Sequence, residues 1–401
     1  MGARMVPATG DLHYDTAVRI LYLSDRLSLR GGADQHLLQV LSWAAGAGHR
    51  VAVAAGRIER GVPLPAAVAC EEHRELASRE AAGPRGQRLA RLLADADVVH
   101  CQNLMNPAAL AAAAATGRAV VTIQDHRVFC PGPGRTLPDG SLCRTTMSAD
   151  ACAGCLPDRA YRERLLAVTE ARRAALDGAR LVVLSRYMAD ELAVAGLPGA
   201  QVIPPWVEAS TAEPESGDAF LLAGRLVAHK APLDAWQAWR RAGCGLPLRV
   251  AGAGPLEPQL EGAERLGWLA PAALARELHR SRALLLAARW QEPFGMVGIE
   301  ALAQATPVIA AVSGGTGEWA DAGCLRVEAG DVEAMAGAIA VLAADPDRAV
   351  ALGREGRAMV VERFARARIE QRLRALYDAV AGSCPSGGGP GDRFVADGAA
   401  G

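Results

Sequence analysis

Net charge is nearly absent: 43 Lys and Arg stand against 44 Asp and Glu, leaving −1 over 401 residues. So balanced a chain has no overall field to gather nucleic acid, so no nucleic-acid partner is expected and any grip on phosphates must come from local groups. Long apolar runs are missing too. Hydrophobic residues make up 51% of the chain, much of it alanine, but none of their runs approaches the roughly 20 residues of a membrane span. No transmembrane segment is expected, while peripheral membrane contact stays open. The N-terminal tail, residues 1–17, carries Asp11, His13 and Asp15 instead of an apolar signal core, so the expected location is cytoplasmic. The Gly-x-Gly-x-x-Gly fingerprint of dinucleotide enzymes is also lacking, which argues against nicotinamide binding.

What is present is a regular alternation of short apolar runs with amphipathic segments. The run 18–23, a turn ending in Gly31-Gly32, an apolar-faced helix through Ala44 and a second run at 51–54 read as β-α-β. Further buried strands are expected at 96–100, 119–123, 180–185 and 202–205, and helices at 107–116, 159–176 and 187–195. A polar, Arg-rich connection covers 71–91. The stretch 208–218, rich in Ser, Thr, Glu and Pro, reads as a linker between two folding units. A second unit, 219–362, repeats the alternation, with a short strand expected at Gly267-Trp268-Leu269 followed by a helix over 274–281. The helix 363–381 is expected to cross back onto the first unit. The composition of 382–401 cannot bury a core and reads as a disordered tail.

The chemistry concentrates in Trp290-Gln291-Glu292-Pro293-Phe294-Gly295-Met296-Val297-Gly298-Ile299-Glu300. An apolar strand leads in, Pro293 and Gly295 turn the chain, and a helix follows. Glu292 would sit on the loop and Glu300 on the helix, both facing the crevice at a strand's C-terminal end. The N–H groups of Phe294, Gly295, Met296 and Val297 would suit a phosphate. Upstream, Arg225 and Lys230 follow a strand and can neutralise a diphosphate, one as a planar fork and one as a mobile point charge. Gly31, Gly32, Gly224 and Gly254 occupy strand-end turns where backbone can approach a ligand closely. Asp125 and His126 lie at the end of another strand.

The Glu-x7-Glu pair resembles the signature of retaining glycosyltransferases of the GT-B fold, family 4 in particular. Ser313-Gly314-Gly315-Thr316-Gly317-Glu318, Gly-Arg-x4-Lys at 224–230 and Gly31-Gly32 are similar to that family's glycine turn, diphosphate clamp and first-helix entry. The resemblance covers about 18–381 and implies an α/β chain of two facing Rossmann-like domains with a cleft between them. It implies transfer from a nucleoside diphosphate sugar to a small-molecule or glycan acceptor, with no catalytic metal. Glu292 would orient the sugar, Glu300 would hold the ribose, and Arg225 and Lys230 would stabilise the leaving diphosphate. In the family His followed by Asp or Glu is common near the donor sugar, whereas here Gln124 precedes Asp125 and the histidine stands at 126. Ala231 follows the lysine where glycine is usual. A non-catalytic sugar-nucleotide-binding or scaffold protein is the alternative. The base, the sugar, the acceptor and the oligomeric state are not readable.

Four of the nine cysteines fall in one Pro/Gly-rich insertion at about 127–158, with spacing C-x12-C-x8-C-x2-C through Cys130, Cys143, Cys152 and Cys155. Four thiolates could close a structural zinc shell that would hold a segment too poor in apolar residues to fold alone. Two disulfides, an iron–sulfur cluster or free thiols are the other readings. Following Asp125-His126 directly, the insertion would wall the acceptor side.

Overall fold

The computed structural model describes residues 17–77 and 87–382. The tails read at 1–17 and 382–401 therefore lie, but for one residue each, outside the described residues, as does part of the 71–91 connection.

The first domain comprises β1 (Arg19–Ser24), α1 (Gly32–Gly46), β2 (Arg50–Ala55), β3 (Val68–Glu72), α2 (Gln87–Asp95), β4 (Val98–Gln102), α3 (Pro107–Ala114), β5 (Ala119–Ile123), α4 (Arg159–Ala174), β6 (Arg180–Val183), α5 (Arg186–Val194) and β7 (Gln201–Val202). Its sheet runs β3-β2-β1-β4-β5-β6-β7 and every pairing is parallel. The second comprises β8 (Ala219–Ala223), α6 (Pro232–Ala242), β9 (Leu248–Ala251), β10 (Glu264–Arg265), α7 (Pro271–His279), β11 (Ser281–Leu286), α8 (Met296–Ala303), β12 (Val308–Ala311), β13 (Cys324–Val327), α9 (Val332–Ala344) and α10 (Pro346–Arg363). Its parallel sheet runs β10-β9-β8-β11-β12-β13.

Strands such as β4, β5, β11 and β12 are buried along their whole length, because helices cover both faces of a parallel sheet and leave no solvent side for polar residues. That is why continuous apolar runs, without alternation, marked them in the sequence. Elements with other signals escaped. The polar connection read at 71–91 holds the end of β3, a 3-10 turn at Arg74–Ala77 and the start of α2, while α10 is an 18-residue helix with seven charged residues. The short strand falls at Glu264–Arg265 and not at 267–269, and Ser281 opens β11 and does not end the preceding helix.

The last helix, α11 (Arg366–Ala381), sends Ile369, Leu373, Leu376, Tyr377 and Val380 into the first domain's core beside Ile20, Tyr22 and Trp43. It also completes a buried polar chain: the Tyr377 hydroxyl lies 2.9 Å from that of Tyr22 and 2.7 Å from His100 Nδ1, and His100 Nε2 lies 2.7 Å from Thr122 Oγ1. Burial pushes the His100 pKa down to about 3, so the ring is neutral at pH 7. Tyr377→Phe leaves His100 Nδ1 and the Tyr22 hydroxyl short of a partner and is expected to cost about 1–3 kcal/mol in urea unfolding. Unfolded histidine titrates near 6.5, so the unfolded chain takes up protons that the folded chain refuses. Stability is therefore expected to be fully present above that pH and to fall as the pH drops toward 3, by up to about 1.4 kcal/mol per unit for such a histidine.

Candidate active site

The C-terminal ends of the two sheets face one another across a cavity of about 790 Å³ lined from both domains. Such ends attract ligands because strand-to-helix loops converge there and helix N-termini point inward. On the second domain's side, the loop after β8 carries Gly224 and the exposed Arg225, and a 3-10 turn over Ala228–Lys230 carries His229 and Lys230. The turn closes at Ala231, which takes the left-handed conformation (φ 47°) that glycine would adopt without strain. Arg225 Nη2 lies 3.5 Å from His229 Nε2.

The loop between β11 and α8 is joined to this turn by its backbone, Arg289 N and Trp290 N both donating to the His229 carbonyl at 3.1 and 3.3 Å. Glu292 is only 3% exposed and receives a hydrogen bond from Lys230 Nζ. The Trp290 ring lies beneath, its centroid 4.9 Å from Lys230 Nζ and 4.7 Å from the His229 ring, so the cation meets a π face as well as a carboxylate. A 3-10 turn over Gly314–Glu318 supports the loop: Gly315 N donates to the Glu292 carbonyl at 2.6 Å and Ser313 Oγ to the Trp290 carbonyl at 2.8 Å. A Cβ at Gly314 would meet that Glu292 oxygen at 2.5 Å, and one at Gly315 would run into the Pro293 carbonyl. The glycine turn thus serves the glutamate by close approach. Gly295, at φ 82°, then reverses the chain into α8.

Met296 and Val297 open α8 toward the cavity, and a Cβ on Gly32 would lie 3.1 Å from Met296 Sδ, so the Gly31-Gly32 turn comes against that helix end from the opposite domain. Phe294 lines the cavity through a residue that is itself 2% exposed, its ring packed on Phe364 at 5.7 Å. Glu300, one turn into α8, is half-buried among cavity residues, and desolvation raises its pKa to about 7. Gly254 is not brought to this group; it packs on the backbone of Leu226 and so supports the loop that presents Arg225.

On the first domain's side, Asp125 binds Arg127, accepting from its backbone N at 2.9 Å and its Nε at 2.7 Å. Burial opposes ionisation of Asp125, but the Arg127 charge and these bonds outweigh it and hold the pKa below the ordinary value. His126 is 2% exposed, with Nε2 3.0 Å from the Tyr187 hydroxyl and its ring edge-on to Trp290 at 5.7 Å. Burial lowers its pKa to about 4. The ring is therefore a neutral joint between the domains, covered by Gly134 of the insertion, whose Cβ would lie 2.9 Å from Nδ1. Thr136 Oγ1 accepts from Gln291 N at 3.3 Å, so the insertion reaches the loop of Glu292.

Cys130, Cys143, Cys152 and Cys155 are free thiols, all half-buried, and Cys152 and Cys155 feel the other cluster members electrostatically. Among the described residues no three His, Cys, Asp or Glu side chains are gathered to hold a metal ion. Local bonds also order the segment: Arg135 pairs with Glu191 and donates to the Thr145 carbonyl at 2.6 Å, while its backbone N donates to Cys130 Sγ at 3.4 Å. Sequence reasoning assigned no role to Asp25, Arg127, His229 or Trp290, all of which line the cavity. Asp25 follows β1 directly, so the strand-end rule applied to Asp125 would have found it too. Trp268, 42% exposed, lines the cavity and donates from Nε1 to the Leu29 carbonyl at 3.1 Å.

Two family models match the chain: "Glycosyltransferase Family 4" over residues 30–211 and "Glycosyl transferases group 1" over 217–345. A curated relative, alpha-maltose-1-phosphate synthase of Mycolicibacterium smegmatis, is 34% identical over 113 residues, which span 26% of this chain and 29% of that protein. Among solved structures, HepE of Anabaena with UDP and glucose aligns with a TM-score of 0.64 at 16% identity, over 90% of this chain and 100% of that one. Sucrose-phosphate synthase of Thermosynechococcus elongatus aligns at 0.65 and 18% identity, over 91% and 100%. WaaG, a glycosyltransferase involved in lipopolysaccharide biosynthesis, aligns at 0.63 and 16%, over 90% and 100%. At these identities the structures establish a shared fold.

Glu300 supplies a test without any ligand. Its folded pKa is raised, so its carboxyl favours the folded state at low pH, and that benefit is lost as the pH rises through about 7. Glu300→Gln, which imitates the neutral acid, is expected to change the melting temperature little at pH 5 and to stabilise the ligand-free protein at pH 8, on the order of 1–3 kcal/mol.

Proposed function

We propose, for a chain that is a family 4-like glycosyltransferase of the GT-B fold, transfer of a sugar from a nucleoside diphosphate sugar to a hydroxyl-bearing acceptor, with retention at the anomeric carbon. The observation that carries this reading is convergence: Arg225, Lys230, Glu292, Glu300, the α8 N-terminus and the Gly31-Gly32 turn all line one cavity.

The leaving diphosphate gains negative charge as the glycosidic bond breaks. Arg225 and Lys230 would meet it with charge-assisted hydrogen bonds, and the Met296 and Val297 N–H groups would meet it with the positive end of the helix. Lys230 and the helix end are held by the surrounding loops before the reaction, so little reorganisation opposes their effect. Lys230 already donates to Glu292, so the bound donor would share this cation between its phosphate and the carboxylate that orients its sugar. Glu300 would accept from the ribose hydroxyls, and this anchoring draws its pKa back down. Glu292 is assigned to orientation and not to covalent attack: a retained configuration follows when the acceptor enters on the face the diphosphate leaves, with a diphosphate oxygen taking the acceptor's proton.

In this reading two cations and a helix end supply the charge, so transfer is metal-independent, and a cytoplasmic location keeps the cysteines reduced. No helix among the described residues is long and apolar enough to cross a membrane. A structural zinc on Cys130, Cys143, Cys152 and Cys155 is retained from their spacing; metal analysis is expected to return one zinc per chain, lost in the Cys152→Ser/Cys155→Ser variant.

HepE was solved with UDP and with UDP-glucose, which makes uridine nucleotides the first ligands to test. Thermal unfolding with UDP, GDP, ADP and dTDP, and with their sugars, should show one base stabilising the protein, by about 2.7 kcal/mol at a hundred times Kd. Arg225→Ala and Glu300→Ala should each weaken that effect by tenfold or more in apparent affinity. No stabilisation by any of the four, or stabilisation without turnover across a broad acceptor panel, would remove the catalytic reading.

A further inference from the structure

The four thiols of the insertion take no part in sugar transfer, yet their bonds lead to the donor loop. Three of the four cysteines lie against the backbone of just two residues. Cys130 Sγ accepts from Arg135 N at 3.4 Å, Cys143 N donates to the Arg135 carbonyl at 2.7 Å, and Cys155 Sγ lies 4.0 Å from the Thr136 carbonyl oxygen. Cys152 and Cys155 each feel the charge of Cys130 and Cys143. Two further bonds hold the strip 134–136: Arg135 donates to the Thr145 carbonyl, and Thr136 bridges to Leu142. Leu142 and Thr145 flank Cys143, so these bonds also depend on where that cysteine is held.

The same strip touches the loop of Glu292. Thr136 Oγ1 accepts from Gln291 N at 3.3 Å, and a Cβ on Gly134 would lie 3.1 Å from the Trp290 ring. Trp290 in turn faces Lys230 and His229, and Glu292 follows Gln291 directly. Gly132, Pro133 and Gly134, hung between Cys130 and Arg135, line the cavity itself. A zinc ion held by four thiolates keeps each sulfur at about 2.3 Å in a tetrahedron. Such a shell would fix Cys130, Cys143 and Cys155 relative to one another, and with them the strip that rests on Trp290 and Gln291. Binding would exchange the weak S–H contact of Cys155 for a bond to the ion, while the bond from Arg135 N would remain as an outer contact orienting a ligand. Arg162 stands close enough to favour the Cys152 thiolate and would offset part of the shell's negative charge.

We propose that Cys130, Cys143, Cys152 and Cys155 form a zinc site coupled to the donor loop: the ion seats Gly134 against Trp290 and Thr136 against Gln291, so zinc tightens the nucleotide and the nucleotide tightens zinc. Resting on the transferase reading above, this gives the zinc a control over the same cleft. Coupling between two sites is reciprocal, each ligand raising the other's affinity by one factor. A zinc that only staples the insertion would leave both affinities unchanged.

The test uses the full chain loaded with zinc and the nucleotide that stabilises it, UDP first. Zinc affinity is measured by competition with the chelator pyridylazoresorcinol, with and without saturating nucleotide, and zinc bound by the nucleotide itself is subtracted from a protein-free control. Nucleotide affinity is measured by calorimetry on the zinc-loaded and the zinc-stripped protein. Each ligand is expected to raise the affinity of the other about tenfold, within the roughly 5–150-fold range of coupled sites. The competition needs no stripped protein, so it decides the matter even where stripping unfolds the insertion. Thr136→Val, which keeps all four thiols and withdraws the acceptor from Gln291 N, is expected to retain one zinc per chain while the coupling falls to about threefold or less. Absence of zinc, iron in its place, a zinc affinity indifferent to the nucleotide, or full coupling in Thr136→Val would each overturn the proposal while donor binding stands. Absence of stabilisation by UDP, GDP, ADP and dTDP alike would overturn the transferase reading and this coupling together.

Discussion

The pairing of Glu292 with Lys230 is the constraint around which the cleft is built. A carboxylate left 3% exposed must be matched by a cation and by hydrogen bonds, because an uncompensated buried charge is strongly destabilising. Lys230 provides the cation from a different loop, so the two loops must be held in register. The His229 carbonyl does this by accepting from Arg289 and Trp290, and Trp290 in turn presents its π face to the Lys230 ammonium. Beneath them the Gly314-Gly315 turn comes close enough to bond the Glu292 backbone. A shift in any of these would change where Lys230 stands relative to Glu292.

The same loop also joins the two domains. Thr136 and Gly134 of the insertion meet Gln291 and Trp290, Ser185 Oγ donates to the Pro293 carbonyl at 2.6 Å, and Glu318 accepts from Arg186 N at 2.7 Å. Ser185 caps α5 at the same time, through Met188 N at 3.1 Å, so a helix end of one domain is tied to the turn carrying Pro293 in the other. The last helix, α11, anchors the second domain's chain in the first domain's core. Cleft geometry is consequently shared property: the insertion, the glycine turn and the last helix each fix it from a different side.

His126 illustrates how environment overrides position. It stands at a strand end, where a charged or ligand-binding histidine would be sought, yet aromatic rings and the insertion surround it and keep it neutral at pH 7. Gln124, which precedes Asp125 where the family commonly has histidine, reaches His36 instead and lines the cavity.

Strand runs, turn glycines and the spacing of Glu292, Glu300, Arg225 and Lys230 were legible in the sequence because each depends on neighbours a few residues away. Parallel strands buried on both faces are largely apolar, and a loop entering a helix must expose N–H groups, wherever the chain goes afterwards. So the chain by itself determined two α/β units and the residues that could handle a diphosphate. It did not determine that Gly254 packs on Leu226, that Arg26 pairs with Asp34 and Arg127 with Asp125, or that Gly134 covers His126. Nor did it pair Gln124 with His36, 88 residues away. Those facts depend on which side chains meet across distant segments, and burial and pairing, which fix pKa and free valence, exist only once both domains are folded against each other.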